Sequence, residues 1–446
     1  VVPLLVLVLL VLGGCGGGGP EPAPTSAPTV PSTTPSGTGT SVPTVDVRTL
    51  GARGDGTTDD RPALQAAFDL AAAQGAEVVV PPGTYLLASA TLPGNRVLRT
   101  YPGQHVVGGG ASSTVLRLAP SFGPYVTVLG LARDGEQAGR WSLRDLTIDQ
   151  NATADNWLDV ARSRAAPQMV VRLGDLGLGS SVEVSGCTFT DTDNVNTLYL
   201  FGDDVEVRGN AFLRTGGRAG HPVHDHSTLY LTAARAQSTL VVGSNVMTGV
   251  PGAGGARTAI ETHGGIQVIA ANRVTSYLRA VNLTGVAGPV SPRALVSDNQ
   301  WLGVAIGVQL WSLRAEPATT APRLAAVTVQ RNVVSLDGAA WERATRLDFP
   351  TSAMLLNPGN TQRLGVLVVR GNDIVAHSVS DGASGARYNA AISCPVRVPA
   401  RGSEPADLAL PGALRVDGNH VQGFTTWLDP GCLVMDRKVV DNVVTH

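Results

Sequence analysis

Lysine is nearly missing from this chain. Lys438 stands alone among 446 residues, and the rest of the positive charge is arginine. A mechanism built on a lysine base has little to draw on. Aromatic residues make up only 4% of the sequence, and the formal net charge is −2. With no basic field, a nucleic-acid partner is excluded. Cysteine is scarce as well. Cys15 belongs to the N-terminal leader, and Cys187, Cys394 and Cys432 are too few for a disulfide scaffold. The apolar run Val1–Leu12 is too short to span a bilayer.

The chain does have small apolar residues and turns: it is 43% hydrophobic and carries 53 Gly. This composition suits a stack of short strands better than a large helical core. Val1–Leu12 fits the hydrophobic region of a signal peptide. The following Leu12-Gly13-Gly14-Cys15 resembles the lipobox of bacterial lipoproteins, which implies lipidation at Cys15 after cleavage. Residues 1–15 are therefore expected to be a lipoprotein-type signal. Residues 16–43, rich in Gly, Pro, Ser and Thr, are expected to be a disordered tether. Together they predict an exported protein, anchored to a membrane only through Cys15, at the cell surface or in the periplasm.

The folded part, residues 44–446, opens on Val45–Asp60 and then an apolar helical stretch over Leu64–Ala73. There Leu64, Ala67, Phe68 and Ala71 fall at the i, i+3, i+4, i+7 spacing. Thr58 or Asp59 is the expected N-cap, and Gly75 ends the helix. A strand at Glu77–Val80 and a Pro-Pro-Gly turn follow. The run Val45–Leu87 resembles the opening segment of the pectate-lyase-like, polygalacturonase-like β-helix superfamily. The resemblance implies a single right-handed parallel β-helix whose open first coil is covered by an N-terminal capping α-helix.

A repeat supports the same architecture independently. A short β-branched strand, a small or polar residue, Asn, and another apolar strand recur at Asn210, Asn245, Asn272, Asn299, Asn332, Asn372, Asn419 and Asn442, with Cys187 in the same slot before Asn210. A base unit of about 23–27 residues with insertions is a solenoid period. The Asn residues are expected to stack in one column, and Cys187 to be a small buried residue within it.

A second strand aligns from coil to coil: Thr197–Phe201, Thr228–Thr232, Ala259–His263, Ala280–Thr284 and Gly307–Trp311. Strand alternation points Tyr199, Tyr230, Glu261, Asn282 and Gln309 outward, and with them Phe201, Thr232, His263, Thr284 and Trp311. The preceding loop supplies His221, His224, Asp225 and His226. Asp225, Glu261, His263 and His226 are the candidate catalytic residues. Tyr199, Tyr230, Asn282, Gln309, Trp311, His221 and His224 are the candidate sugar-binding residues. The expected groove is floored by Tyr230, Glu261 and Asn282 and walled by the His221–His226 loop.

Paired carboxylates of divergent pKa suit glycoside hydrolysis. His and Tyr beside a carboxylate suit proton abstraction from a uronate. The same residues also fit a metal site, a solvated loop or a structural Glu–His pair. The superfamily's hydrolases share Asn-Thr-Asp, Asp-Asp, Gly-His-Gly and Arg-Ile-Lys motifs. This chain has Asp203-Asp204, which reads as a turn, and lacks the last two. Its His224-Asp225-His226 is loosely similar to the Asp-Pro-His loop of β-helix uronate epimerases. Asp149 and Asp193 also face outward and could take Ca²⁺, but their spacing matches no dedicated loop. No metal or other cofactor is expected. The leading expectation is a surface-anchored enzyme cleaving a polysaccharide, with hydrolase ahead of lyase or epimerase. The alternative is a non-catalytic polysaccharide-binding or adhesin-like solenoid. A monomer or a homotrimer is expected, with Cys394 and Cys432 on matching strands of successive coils forming a disulfide.

Overall fold

The computed structural model describes residues 42–123, 125–131, 138–154, 156, 169–175, 179–193, 195–215, 227–250, 257–284, 289–311, 324–345, 347, 349–356, 364–382, 390–394, 413–429 and 437–445. Within them the chain winds through three parallel sheets of 13, 13 and 11 strands, each coil adding one strand to each sheet. Inward side chains stack along the axis into one continuous core. Val182, Val205 and Leu240 register in the first sheet, and Leu198, Leu229, Ile260 and Val281 in the third. The rings of Phe189 and Phe212 stack at 5.1 Å in the second. Each fully buried Val, Leu or Phe contributes roughly 1.5–3 kcal/mol.

The Asn column is continuous. The Nδ2 of Asn210 donates to Oδ1 of Asn245 at 3.0 Å, Asn245 to Asn272 at 2.9 Å, and Asn272 to Asn299 at 3.0 Å. The chain of amides continues through Asn332, Asn372 and Asn419 to Asn442. Cys187 heads the column. Its N–H donates to Asn210 Oδ1, and its thiol points at Leu143 O, 3.4 Å away. That is the bond Asn210 Nδ2 makes to Val184 O one coil on. The residue before each column position is left-handed, whatever its type: Gly209 (φ 63), Ser244 (φ 56), Ala271 (φ 57), Asp298 (φ 59), Arg331 (φ 53), Asp441 (φ 52). A two-residue corner, one left-handed residue and then Asn, thus joins the first sheet to the second in coil after coil.

The capping helix spans Arg61–Gln74 and buries Leu64, Gln65, Ala67, Phe68 and Ala71. Its N-cap is Asp60, not Thr58 or Asp59, and Asp60 makes no side-chain cap bond. Its carboxylate instead accepts from the N–H groups of Arg53 and Gly54 and fastens the preceding loop. Gln65 shows what capping means physically. Its amide accepts from Arg99 N at 2.8 Å and donates to Arg99 O at 3.3 Å. It thereby satisfies backbone groups on the first strand of the third sheet, which among the described residues has no earlier strand to pair with.

A second helix, Gly338–Thr345, lies in sequence between the strands Val333–Asp337 and Ser352–Leu356. Its Trp341 donates to Gly303 O at 2.9 Å and joins Leu278, Ala305, Ile306, Leu347, Phe349 and Leu355 in an apolar cluster separate from the main core. Cys187 is a free thiol, and Cys394 is disulfide-bonded. The expected partner, Cys432, lies outside the described residues, as does Cys15.

Candidate functional site

The third sheet carries the candidate site. Its strands hold Arg172, Tyr199, Tyr230, Glu261, Asn282 and Gln309 in one register column. Gly174, Phe201, Thr232, His263, Thr284 and Trp311 form a second column. Both agree with the sequence alignment. A third outward column, which alternation alone does not reveal, runs Met169, Asn196, Ser227, Thr258 and Arg279. It exists because Thr228 and Leu229 are both buried, and Thr228 bonds the interior hydroxyl of Tyr277 at 2.9 Å. Two successive inward residues turn Ser227 back to the outside.

The columns converge on one cluster. Glu261 Oε1 lies 3.2 Å from His263 Nε2, and Glu261 Oε2 accepts from the Ser227 hydroxyl. The Tyr230 ring packs 4.3 Å from the His263 ring, and Tyr199 packs 4.8 Å from Tyr230. Phe201 meets Tyr199 edge-on at 4.5 Å. A stack of rings therefore runs along the face and ends on the imidazole that touches the carboxylate. Burial pushes the Glu261 carboxyl up, but His263, Ser227 and the nearby Arg279 outweigh it and hold it below the ordinary glutamate value. Glu261 is thus an anion at neutral pH. It accepts and orients protons and is not a ready proton donor. Its side chain is 15% exposed and that of His263 5%, so the pair sits in the floor of the face.

The groove does not extend as expected. Asn282 and Gln309 face outward by register, yet they are 8% and 0% exposed. Their place as open sugar-binding residues is overturned. Gln309 shares a strand with Ile306 and registers with Leu355, both members of the apolar cluster that Trp341 and Phe349 complete. Protein fills the face at that end. Neither amide atom of Gln309, nor Oδ1 of Asn282, has a hydrogen-bond partner among the described residues. The open part runs the other way, from Glu261 through Tyr230 and Tyr199 to Arg172, all half-buried. Arg172 and Arg279 are the residues the sequence reading missed. Their signal was an arginine within an apolar strand at an outward register position.

His221, His224, Asp225 and His226 lie outside the described residues, as does the side chain of Trp311. Asp149 is tied to Arg117 at 2.8 Å and to Asn151 N, a structural role. Asp203 accepts from Gly179 N, Ser238 Oγ and Arg235 Nε, as its reading as a turn residue requires.

The residues of the opening segment, 44–157, match the family described as Rhamnogalacturonase A/epimerase, pectate lyase-like. This match covers about a quarter of the chain, and the three-sheet solenoid with its capping helix is a right-handed parallel β-helix. Mannuronan C5-epimerase AlgE4 of Azotobacter vinelandii is 35% identical over 120 residues, 26% of this chain and 22% of that protein. Alginate lyase 7 of the same organism is 35% identical over 107 residues, 24% of this chain and 12% of that one. The chain thus spans about a fifth or less of the length of these curated relatives. Among solved structures, the A-module of mannuronan C-5 epimerase AlgE6 of A. vinelandii superposes with a TM-score of 0.53 at 16% identity, covering 90% of this chain and 98% of that one. A tailspike protein variant of E. coli bacteriophage HK620 superposes with a TM-score of 0.64 at 16% identity, covering 90% and 66%. At these identities the superpositions show the fold alone.

Proposed function

We propose that this protein acts on a uronate-containing polysaccharide by proton transfer at C5, as a lyase or an epimerase. The observation that carries the reading is the Glu261–His263 pair, with Tyr230 packed on the imidazole and Arg279 beside the carboxylate. Removing the C5 proton of a uronate leaves an electron pair that spreads onto the sugar's own carboxylate. A guanidinium stabilises that charge. The Glu261–His263 pair takes the proton, and Glu261 stabilises the imidazolium that results. Two outcomes then balance. Departure of the C4 oxygen, which leaves with the C4–O bonding pair and takes up the proton held by the Glu261–His263 pair, gives a C4–C5 double bond and a new chain end, which is a lyase. Return of a proton to the opposite face of C5 gives the epimer.

Glycoside hydrolysis, the leading expectation from sequence, is less well supported. It needs a protonated carboxyl as acid and a second carboxylate within about 5–10 Å. Glu261 is held ionised, and the outward columns of the third sheet from Met169 to Gln309 offer no other carboxylate among the described residues. The relatives named as mannuronan C5-epimerase and alginate lyase point the same way. We propose further that the substrate is met outside the cytoplasm, with the chain tethered through Cys15.

The test is incubation of the protein with polymannuronate, polyguluronate and polygalacturonate in deuterated water. Unsaturated uronates read by ultraviolet absorbance mark a lyase. Deuterium at C5 without chain cleavage marks an epimerase. Reducing ends with neither signature would overturn the reading in favour of hydrolysis. Glu261→Gln is expected to abolish the signal while the circular dichroism stays that of the wild type.

A further inference from the structure

Toward the capped end, the third sheet holds a pocket of about 340 Å³, lined by Arg96, Thr127, Met169, Arg172 and Tyr199. Arg96, Thr127 and Met169 share the outward column that reaches Ser227 and Arg279. Arg172 and Tyr199 share the column of Glu261. Two glycines stand beside the pocket's polar groups. A Cβ at Gly130, the register neighbour of Arg172, would stand 2.4 Å from Thr127 Oγ1. A Cβ at Gly94 would stand 1.7 Å from Arg96 Nη1. Each glycine leaves room beside a polar group that lines the cavity. Thr127 is 1% exposed, and its hydroxyl has no hydrogen-bond partner among the described residues. A buried hydroxyl without a partner costs stability unless something fills the site.

Resting on the reading of this face as glycan-binding, we infer that the pocket is an anion subsite. It takes the carboxylate or sulfate of a sugar unit well removed from the one at Glu261. A guanidinium offers five donors in a planar fork, so a protein partner does not exhaust either Arg96 or Arg172. Thr127 donates its hydroxyl proton to the same anion, and Tyr199 offers the ring its face. Three register steps separate Arg172 from Glu261. At about 4.8 Å per step this is roughly 14 Å, further than one sugar ring reaches. The enzyme is therefore a reader of consecutive charged units, and the charge it senses is remote from the bond it changes.

The experiment measures affinity of the full chain for polymannuronate, polygalacturonate, carrageenan and a neutral mannan at low and high salt. The wild type is expected to bind at least one anionic polymer more tightly than the mannan, with a preference that shrinks as salt rises. The uronates and the sulfated polymer tell the two anions apart. Arg172→Gln should weaken anionic binding about tenfold. Thr127→Val, which keeps the buried shape, should weaken it by a smaller factor and guards against a folding artefact at Arg172. No anionic preference in the wild type, or full affinity in both variants, overturns the inference. If Glu261→Gln kills turnover while Arg172→Gln binds normally, the subsite falls and the proton-transfer reading stands. If Glu261→Gln still turns over while Arg172→Gln loses affinity, the reverse holds.

Discussion

Asn299→Ala is expected to destabilise the solenoid far more than the same change at Asn442. Asn299 is 1% exposed. Its Oδ1 accepts from Asn272 N at 2.9 Å and Asn272 Nδ2 at 3.0 Å. Its Nδ2 donates to Asn332 Oδ1 at 2.9 Å and to Ile269 O at 3.0 Å. Alanine removes all of these and strands the Asn272 backbone N–H in a buried site. At about 1 kcal/mol for each of the three other bonds, with the stranded donor costing about 1–3 kcal/mol, the loss is roughly 4–6 kcal/mol. Asn442 receives the same pair of bonds from Asn419, at 3.0 and 2.8 Å, but it is only half-buried. Water replaces its amide there, so Asn442→Ala should cost less than about 1 kcal/mol. Urea unfolding followed by far-ultraviolet circular dichroism gives both values. Hydrogen exchange at the Asn272 amide reports the local break. Equal losses at the two positions, or an Asn272 amide protected as before, would refute the argument that burial makes the ladder hold.

Ala271 is exposed and left-handed at φ 57, so Ala271→Gly should raise stability by about 0.5–1 kcal/mol, read as a higher unfolding midpoint. Gln309→Leu should also stabilise, by about 1 kcal/mol, because it removes an amide buried without partners among the described residues; a fall in the midpoint would reveal a bond it depends on. The Glu261 carboxyl is held below its ordinary value, so its ionisation favours the fold. That contribution is complete above the unfolded-state glutamate value of about 4.3 and fades as pH falls through the lower folded value. The midpoint of wild type should exceed that of Glu261→Gln at pH 7 and converge with it in acid. Burial pushes the Cys187 thiol up to about 12, so iodoacetamide should leave it unmodified in the folded protein and label it on unfolding.

The fold was legible because its signals are local and repeated. One Asn corner in each coil and a period of two along each strand fix the register of Leu198, Leu229, Ile260 and Val281 without any knowledge of distant packing. The meeting of Tyr230, Glu261 and His263 followed from that register. What the register could not reveal is which outward positions stay open. Asn282 and Gln309 are closed over beside a cluster whose Trp341 and Phe349 come from a segment with no repeat signal. Arg172 belongs to the Tyr199 column, but its strand precedes the first of the aligned ones. The Ser227–Arg279 column escaped for a different reason: it depends on a break in alternation at Thr228 and Leu229, where a polar residue turns inward to meet the buried Tyr277 hydroxyl. The two alternation columns assume an unbroken strand, so they pass over such a break.

The corner of left-handed residue and asparagine has a consequence for how this molecule can vary. Successive column positions lie between 23 and 47 residues apart in the chain, yet the corner itself keeps its two-residue length each time. Most of the difference in coil size therefore falls in the sequence between that corner's second-sheet strand and the next first-sheet strand, before and after the third-sheet strand. The spine on the other side stays fixed by its amides. A lengthened or shortened coil can reshape the borders of the third-sheet face without moving the strands that hold Glu261 against His263. The scaffold thus separates the part of the sequence free to drift from the part that must keep time, and it places the free part beside the chemistry.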